Sequence, residues 1–292
     1  MIYIIENDKL KVKVSSMGAE LQSIRRLEDN TEYLWQGDPT YWAGRAANLF
    51  PICGRLFEGK YTYQGETYEM MLHGFAKLQE FEVIRQDTAA ITLQLKENEE
   101  TLRMYPFRFS LEISYVLSGE DLTVTLIVHN LDDKTMIFAV GGHPGFNLPL
   151  EEGKRFEDYL LEFDEPCEPM QLCMSATCFY QDETKPFPLE DGQILHLHHG
   201  LFDNDAIFLA DMASGVTLRC ADGKRAVHMS YPQMSRLGLW HKPKTDAPYM
   251  CIEPWSSYPS VDGKVDDLET KQSMHTLEPQ GVYRNVYTIS FR

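Results

Sequence analysis

Short segments of alternating apolar and polar residues, separated by turn residues, are the feature that most constrains how this chain can fold. Residues 9–14 (KLKVKV) alternate strictly, which turns one face of a strand to a core and the other to solvent. Residues 109–117 and 122–129 flank Ser-Gly-Glu-Asp, a pattern that predicts a hairpin. Turn signals recur about every 8 to 15 residues, the spacing of a sandwich or barrel. The sequence therefore predicts one large all-β domain, residues 1–292, of many antiparallel strands.

Helical periodicity is scarce, so strands account for nearly all of the predicted structure. The best candidate for a short helix is 265–273, and a turn is the second possibility, near 40–46. Residues 164–193 are rich in loop signals and are expected to cross the surface or one sheet edge. The other predicted strands are 61–63, 67–70, 81–85, 90–95, 136–140, 159–163, 194–197, 206–209, 216–220, 226–231, 237–240 and 282–291.

Composition limits the classes of partner. The net charge is −17, which repels nucleic acid and anionic membranes and leaves neutral or cationic small ligands favoured. No apolar run reaches about 18 residues, and the first residues (MIYIIEND) lack the basic region and cleavage site of a signal peptide, so we expect a cytoplasmic protein. The six cysteines include no CxxC pair, and we expect reduced thiols without structural zinc.

One histidine lies in an unusual setting, the segment 141–147 (GGHPGFN). The apolar residues 136–140 before it predict a buried strand that ends at the glycines. Glycine permits a positive φ or a close approach to a ligand, and Pro144 removes a backbone donor. His143 is therefore predicted to be displayed on an irregular turn, where it is either a site residue or a structural histidine with satisfied hydrogen bonds.

Four further residues are candidates for chemistry. Arg55 lies between a glycine and an apolar residue, His73 precedes a glycine at a strand end, and Asp205 precedes an apolar strand. The alternative roles are a surface arginine, a capping or core histidine and an ordinary turn aspartate. Glu253 ends an apolar run and meets a proline and a tryptophan. Partial desolvation there would raise its pKa towards the range of a general base, although an edge-strand glutamate is the alternative.

The sequence gives little support for a metal site and contains none of the common hydrolase or nucleotide-binding motifs. His196 and His198 would share one strand face next to His199, so a metal site is conceivable, but no carboxylate or cysteine at ligand spacing accompanies them. The chain has no GxSxG elbow, no P-loop and no GxGxxG segment opening a helix.

In this order, the motifs resemble those of the aldose 1-epimerase (galactose mutarotase) family, specifically its LacX-like branch. The resemblance covers nearly the whole chain. It rests on 18–24 (GAELQSI), 54–56 (GRL), 59–61 (GKY), 72–74 (LHG), 143–148 (HPGFNL), Asp205 and 251–254 (CIEP). The chain departs from the main branch at Gly54, where that branch has asparagine, and at Phe75, where it has a second glycine. Pro144 and Gly145 also separate the second histidine from an aromatic residue.

The resemblance implies a large antiparallel β-sandwich with a sugar cleft on one sheet, and an isomerase that binds a monosaccharide without a metal or organic cofactor. Interconverting anomers needs a base at O1 and an acid at the ring oxygen, on opposite sides of one acetal. We expect Glu253 as the base, His143 as the acid and His73 as a hydrogen-bond partner of the ring oxygen. Arg55 and Asp205 would hold the sugar hydroxyls, with Arg45 as a competitor for the arginine role. A bell-shaped pH profile is expected, with His143 deprotonation as its basic limb.

Several questions stay open at this level. Trp240, Trp255 and Phe146 are candidates for an apolar platform under the sugar, or for core packing. A hexose-6-phosphate mutarotase is one alternative, with Arg45, Lys77 and Arg236 as possible phosphate ligands. A noncatalytic carbohydrate-binding module is the other. The sequence leaves both the sugar and the choice between monomer and homodimer undecided.

Overall fold

The computed structural model describes all 292 residues, and strands make up most of its regular secondary structure. One α-helix, α1 (Glu99–Met104), and four short 3₁₀ turns interrupt them. The strands are β1 (Ile2–Glu6), β2 (Leu10–Ser15), β3 (Leu21–Arg26), β4 (Ala46–Leu49), β5 (Lys60–Tyr63), β6 (Glu66–Glu69), β7 (Glu82–Gln86), β8 (Ala90–Lys96), β9 (Phe109–Ser118), β10 (Asp121–Asn130), β11 (Met136–Phe138), β12 (Gly141–Asn147), β13 (Tyr159–Phe163), β14 (Met170–Met174), β15 (Tyr180–Pro186), β16 (Ile194–His196), β17 (Ile207–Ala210), β18 (Gly215–Cys220), β19 (Ala226–Ser230), β20 (Arg236–Trp240), β21 (Tyr249–Trp255), β22 (Asp266–Asp267), β23 (His275–Leu277) and β24 (Val282–Phe291).

Two large antiparallel sheets dominate the architecture, so the predicted all-β class is confirmed. One has nine strands in the order β16-β13-β18-β19-β24-β10-β9-β8-β7. The other has seven, in the order β15-β14-β17-β20-β21-β12-β4. Three smaller sheets, β1-β2-β3, β11-β23 and β22-β5-β6, lie outside these two. Residues 164–193 do lie at one sheet edge, but they contain two strands that the sequence analysis did not predict, β14 and β15, which form that edge of the seven-stranded sheet.

The main core takes its side chains from one face of each large sheet. On β9, Leu111, Ile113 and Tyr115 are buried in a cluster of 65 residues, in the alternation that a half-buried strand requires. On β21, Met250 and Ile252 belong to the same cluster. The intervening β21 residues point to the opposite face of the seven-stranded sheet, which is therefore free to form a site.

The predicted helix does not form, and the helix that does form was not predicted. Residues 265–273 form no helix; they contain the two-residue strand β22, which pairs in parallel with β5. The helix that exists, α1, was missed, although Asn98 caps it and forms a capping box with Thr101. Six residues are too few to show a helical period, so the cap was its only readable signal. The predicted turn near 40–46 corresponds to hydrogen bonds from the amides of Tyr41 and Trp42 to the Asp38 carbonyl.

The segment 141–147 is a strand, β12, inside the seven-stranded sheet, and the prediction of an irregular turn is wrong. Gly141, Gly142 and Gly145 do not have positive φ values, so their backbone freedom is not the reason for glycine. Space is the reason. A methyl group on Gly142 would lie 2.7 Å from the hydroxyl oxygen of Tyr287, and one on Gly145 would lie 3.0 Å from the Trp42 ring.

No helix in the structure is long and apolar enough to cross a bilayer. All six cysteines carry free thiols; Cys53, Cys220 and Cys251 are buried and the other three are partly exposed.

Candidate active site

A cleft of about 570 Å³ lies on the face of the seven-stranded sheet that points away from the main core. The strands β4, β12, β14, β17, β20 and β21 all contribute side chains to it. All five predicted site residues line it, and the fold brings them together although they are spread along most of the sequence. The predicted residues in the lining are Arg55, His73, His143, Asp205 and Glu253.

His143 and Glu253 form the floor of this cleft and touch each other. Gly141 pairs with Trp255 and Gly145 with Cys251, so His143 on β12 lies directly opposite Glu253 on β21. The His143 Nε2 is 3.2 Å from the Glu253 Oε2. The acid and the base that the sequence analysis assigned to opposite sides of one acetal are therefore in direct contact with each other. Both are nearly inaccessible, with 11% and 2% of their side-chain surface exposed.

Burial sets the protonation of this pair. It raises the pKa of the Glu253 carboxyl well above its usual range, and the Asp205 carboxylate raises it further. It lowers the pKa of His143 to about 3, with a smaller contribution from the Lys77 charge. In the empty cleft the pair therefore carries one transferable proton, on Glu253, within hydrogen-bond distance of a neutral imidazole. Such a pair can take a proton from one oxygen and give one to another.

His73 lies beside this pair on a backbone turn with φ of 66°. Its ring stands edge-on to the rings of His143 and Trp255, with centroids 5.3 Å away in each case. The Gly54 N–H donates to the His73 Nδ1 over 3.1 Å. Burial, and then the neighbouring His143, lower the pKa of His73 well below its usual value, so the ring is neutral. With Nδ1 as acceptor, the proton of the neutral ring is on Nε2, and His73 is a hydrogen-bond donor.

Asp205 is held by three donors from the cleft wall. The Trp240 indole N–H donates to Oδ1 over 2.8 Å and the Ala206 amide over 3.0 Å. The Cys178 thiol donates to Oδ2 over 2.8 Å. These bonds fix the direction of the carboxylate, which retains lone pairs for a ligand hydroxyl.

Of the two candidate arginines, the structure brings Arg55 to the cleft and leaves Arg45 outside it. The Arg45 guanidinium donates to the Gln22 side chain and to the Gln36 carbonyl, so these hydrogen bonds hold it outside the cleft. Arg55 makes one long hydrogen bond, 3.3 Å to the Thr177 carbonyl, and most of its donors remain free.

Aromatic rings form the apolar part of the site. Trp240 and Trp255 line the cleft, but Phe146 is fully buried in the main core and is not part of a platform. Sequence reasoning missed Trp42, whose ring centroid is 5.0 Å from that of His143 at an interplanar angle of 33°. The nearest signal in the sequence was Gly145, since its missing side chain leaves the space that the Trp42 ring fills.

One group of potential metal ligands coincides with the acid–base pair. The ligand atoms of His143, Cys251 and Glu253 lie within 4.8 Å of one another. Burial and the neighbouring Glu253 raise the pKa of the Cys251 thiol well above its usual value, so this ligand is protonated. A metal here would also occupy the acid and the base at once.

The histidine-rich tract 196–199 does not form a metal cluster. The His196 Nε2 lies 3.0 Å from the Glu190 carboxylate on the surface. His199 instead contacts His241, with 3.2 Å between Nδ1 and Nε2, and its ring stacks on Phe156 at 4.2 Å.

Comparison with known proteins gives consistent results. A family model described as aldose 1-epimerase matches residues 1–284. The chromosomal protein LacX of Lactococcus lactis subsp. lactis is 34% identical over 296 aligned residues, which cover 98% of each chain.

Two solved structures superpose along their full length. A galactose mutarotase related enzyme from Lactobacillus acidophilus has a TM-score of 0.94 and 35% identity, with 100% of this chain and 97% of that chain covered. A galactose mutarotase-like protein from Lactobacillus casei ATCC 334 also has a TM-score of 0.94, with 31% identity and full coverage of both chains.

Proposed function

Because the chain belongs to the aldose 1-epimerase family, we propose that it interconverts the α and β anomers of an aldohexose by acid–base ring opening and closure. Family membership supports a mutarotase-type isomerase. The one observation that carries the finer proposal is the contact between His143 and Glu253 on the cleft floor. We also propose that it acts on its monosaccharide in the cytoplasm, without a metal or organic cofactor.

The direct contact suits the chemistry, because O1 and the ring oxygen O5 are bonded to the same carbon. One pair of touching groups can therefore reach both oxygens at once. Transfer of the shared proton from Glu253 to His143 gives a carboxylate beside an imidazolium. The carboxylate takes the proton from O1 while the imidazolium gives its proton to O5.

These transfers open the ring. The C1–O5 bond breaks, a C1=O1 double bond forms, and the proton that left O1 is balanced by the one gained at O5. The pair returns to a protonated Glu253 and a neutral His143, its form in the empty cleft. Rotation about C1–C2 presents the other face of the aldehyde, and the reverse transfers close the ring as the second anomer.

The remaining residues position the sugar. The Nε2–H of His73 hydrogen-bonds the ring oxygen and stabilises the charge that develops there. Arg55 and Asp205 hold hydroxyls, and Trp240 and Trp255 provide apolar surface against the C–H faces of the sugar ring.

Polarimetry tests the proposal. The protein should accelerate mutarotation of glucose or galactose, and Glu253→Gln and His143→Asn should each lower kcat/KM by about 10²–10⁴-fold, the usual contribution of a positioned acid or base. Glu66→Gln and His198→Asn, which change exposed residues of the same types, are matched controls. Wild-type rates in both site variants would exclude the proposed roles.

The same measurement separates the alternatives. A noncatalytic carbohydrate-binding module would bind the sugar without accelerating its mutarotation. Three residues were considered as phosphate-binding residues of a hexose-6-phosphate mutarotase. Lys77 lines the cleft, whereas Arg45 and Arg236 lie outside it. Arg236 donates to the Ser235 carbonyl and stacks 3.9 Å over the Tyr258 ring.

A further inference from the structure

The cleft contains basic side chains without ion-pair partners, although the protein has a net charge of −17. Arg55, Lys77 and Lys242 all line it, and none forms a salt bridge with any carboxylate of the chain. Lys242 is exposed, so water can solvate it, and Arg55 has the Thr177 carbonyl and the Phe179 ring nearby. Lys77 is only partly exposed and has no such partner.

Lys77 is partly buried, and its ammonium group makes no hydrogen bond, ion pair or aromatic contact. Every other lysine or arginine that is not exposed has at least one such partner. These partnered residues are Lys11, Arg26, Arg45, Arg55, Lys60, Lys134, Lys154, Arg219, Arg225, Arg236 and Lys271. Taking a charge out of water without a partner is unfavourable, so an exception inside a cleft indicates a missing ligand.

The acidic residues of the cleft do not neutralise Lys77. The carboxylate of Glu20 accepts hydrogen bonds from the amides of Arg45 and Ala46 and from the Gln22 side chain. Asp205 is held by its own three donors, and burial keeps Glu253 protonated. Burial lowers the pKa of Lys77, and Glu20 opposes this without forming an ion pair. An anion beside the ammonium would offset the burial.

We infer that the cleft receives an aldose bearing an anionic group, phosphate or carboxylate, and that the Lys77 ammonium binds this anion. The inference rests on the proposed function and defines its substrate class. Arg55 adds free donors to the same cleft, and Lys77 lines that cleft together with His73 and His143. An anion at Lys77 would therefore leave the reducing end of the sugar close to the catalytic pair.

The test compares neutral and anionic aldoses with the same reducing end. Mutarotation of glucose, glucose 6-phosphate and glucuronate is measured by polarimetry, with the spontaneous rate of each sugar subtracted. We expect a higher kcat/KM for at least one anionic aldose than for glucose. The separate rates for glucose 6-phosphate and glucuronate show whether the site prefers phosphate or carboxylate. In Lys77→Met, which removes the charge and keeps most of the length of the side chain, the ratio of anionic to neutral kcat/KM should fall about ten- to a hundredfold. Lys13→Met, at an exposed lysine of β2, should leave that ratio unchanged.

Two outcomes would overturn the inference while the proposed function stands. One is a kcat/KM for glucose at least as high as for both anionic sugars, and the other is an anionic preference that Lys77→Met leaves intact. Binding is measured separately by tryptophan fluorescence, since three of the four tryptophans line the cleft. If mutarotation of no aldose is accelerated, the proposed function fails. The role of Lys77 is then still decided by comparing the affinity of Lys77→Met for the anionic sugars with that of the wild-type protein.

Discussion

At the scale of single residues, burial controls the chemistry of the site more than charge pairing does. Glu253 and His143 are in contact, yet desolvation shifts both towards their neutral forms. In the proposed mechanism, the ion pair is therefore not the resting form, and it arises by moving one proton over a 3.2 Å contact. The resting pair would then store the proton that the sugar receives.

The pH dependence follows from counting protons on the pair. The active form carries one proton; a second, on His143, abolishes the base, and loss of the first abolishes the acid. We expect a bell-shaped profile of kcat/KM with its acidic limb near the lowered pKa of His143, about 3. The basic limb should lie well above the usual pKa of a glutamic acid, because burial raises the pKa of Glu253. The sequence analysis assigned the basic limb to deprotonation of His143. In the structure, the basic limb instead corresponds to loss of the single proton that Glu253 and His143 share.

Acid unfolding is controlled for separately. The protein is exposed briefly to each pH and returned to neutral pH, and its rate is then measured to show whether activity was lost irreversibly. An acidic limb centred near 6.5, the pKa of an ordinary histidine, would contradict this account.

Cys178 should act as a positioning residue through its hydrogen bond to Asp205. Cys178→Ala removes that donor, and the loss of one hydrogen bond of about 1 kcal/mol should raise KM about fivefold with little effect on kcat. Cys178→Ser retains a donor and should restore most of the affinity. Equal losses in the two variants, or a loss confined to kcat, would show that the thiol does not orient Asp205.

At the scale of elements, the sequence predicted every strand of the nine-stranded sheet but only β17 and β20 of the seven-stranded sheet, and it predicted no register. Alternation identified β2, β9 and β10, because half-buried strands repeat every two residues. The contact between His143 and Glu253 depends on how β12 pairs with β21, and no local pattern encodes a pairing between segments so far apart. The five candidate residues nevertheless all line the cleft, and each lies in a distinctive local setting in the sequence. Trp42 was missed because its own neighbours carry no such signal.

The glycines of β12 provide a test of close packing. Gly142→Ala should destabilise the protein by about 1–3 kcal/mol, since its methyl group would lie 2.7 Å from the Tyr287 hydroxyl oxygen. Tyr287→Phe removes that oxygen, so the double variant should be more stable than the sum of the two single changes predicts. Denaturant unfolding measures all four proteins. Strict additivity would mean that Gly142 is required for another reason.

At the scale of the whole molecule, the two large sheets share one core and leave the outer face of the seven-stranded sheet for the cleft. The net charge of −17 is a second global property. Mutual repulsion of like charges disfavours the compact state, and salt screens it. The free energy of unfolding should therefore rise as NaCl is increased to about 0.15 M. A fall would mean that the surface ion pairs outweigh the repulsion.

The central claim is that His143 and Glu253 act as one acid–base unit on a single acetal. A kinetic double-mutant cycle tests it most directly, with polarimetric kcat/KM measured for wild type, Glu253→Gln, His143→Asn and the double variant on the best aldose substrate. If the two residues share one proton, each single change already disables the unit, and the double variant should be no slower than the slower single variant. Losses that multiply in the double variant, or single variants as active as wild type, would contradict the account.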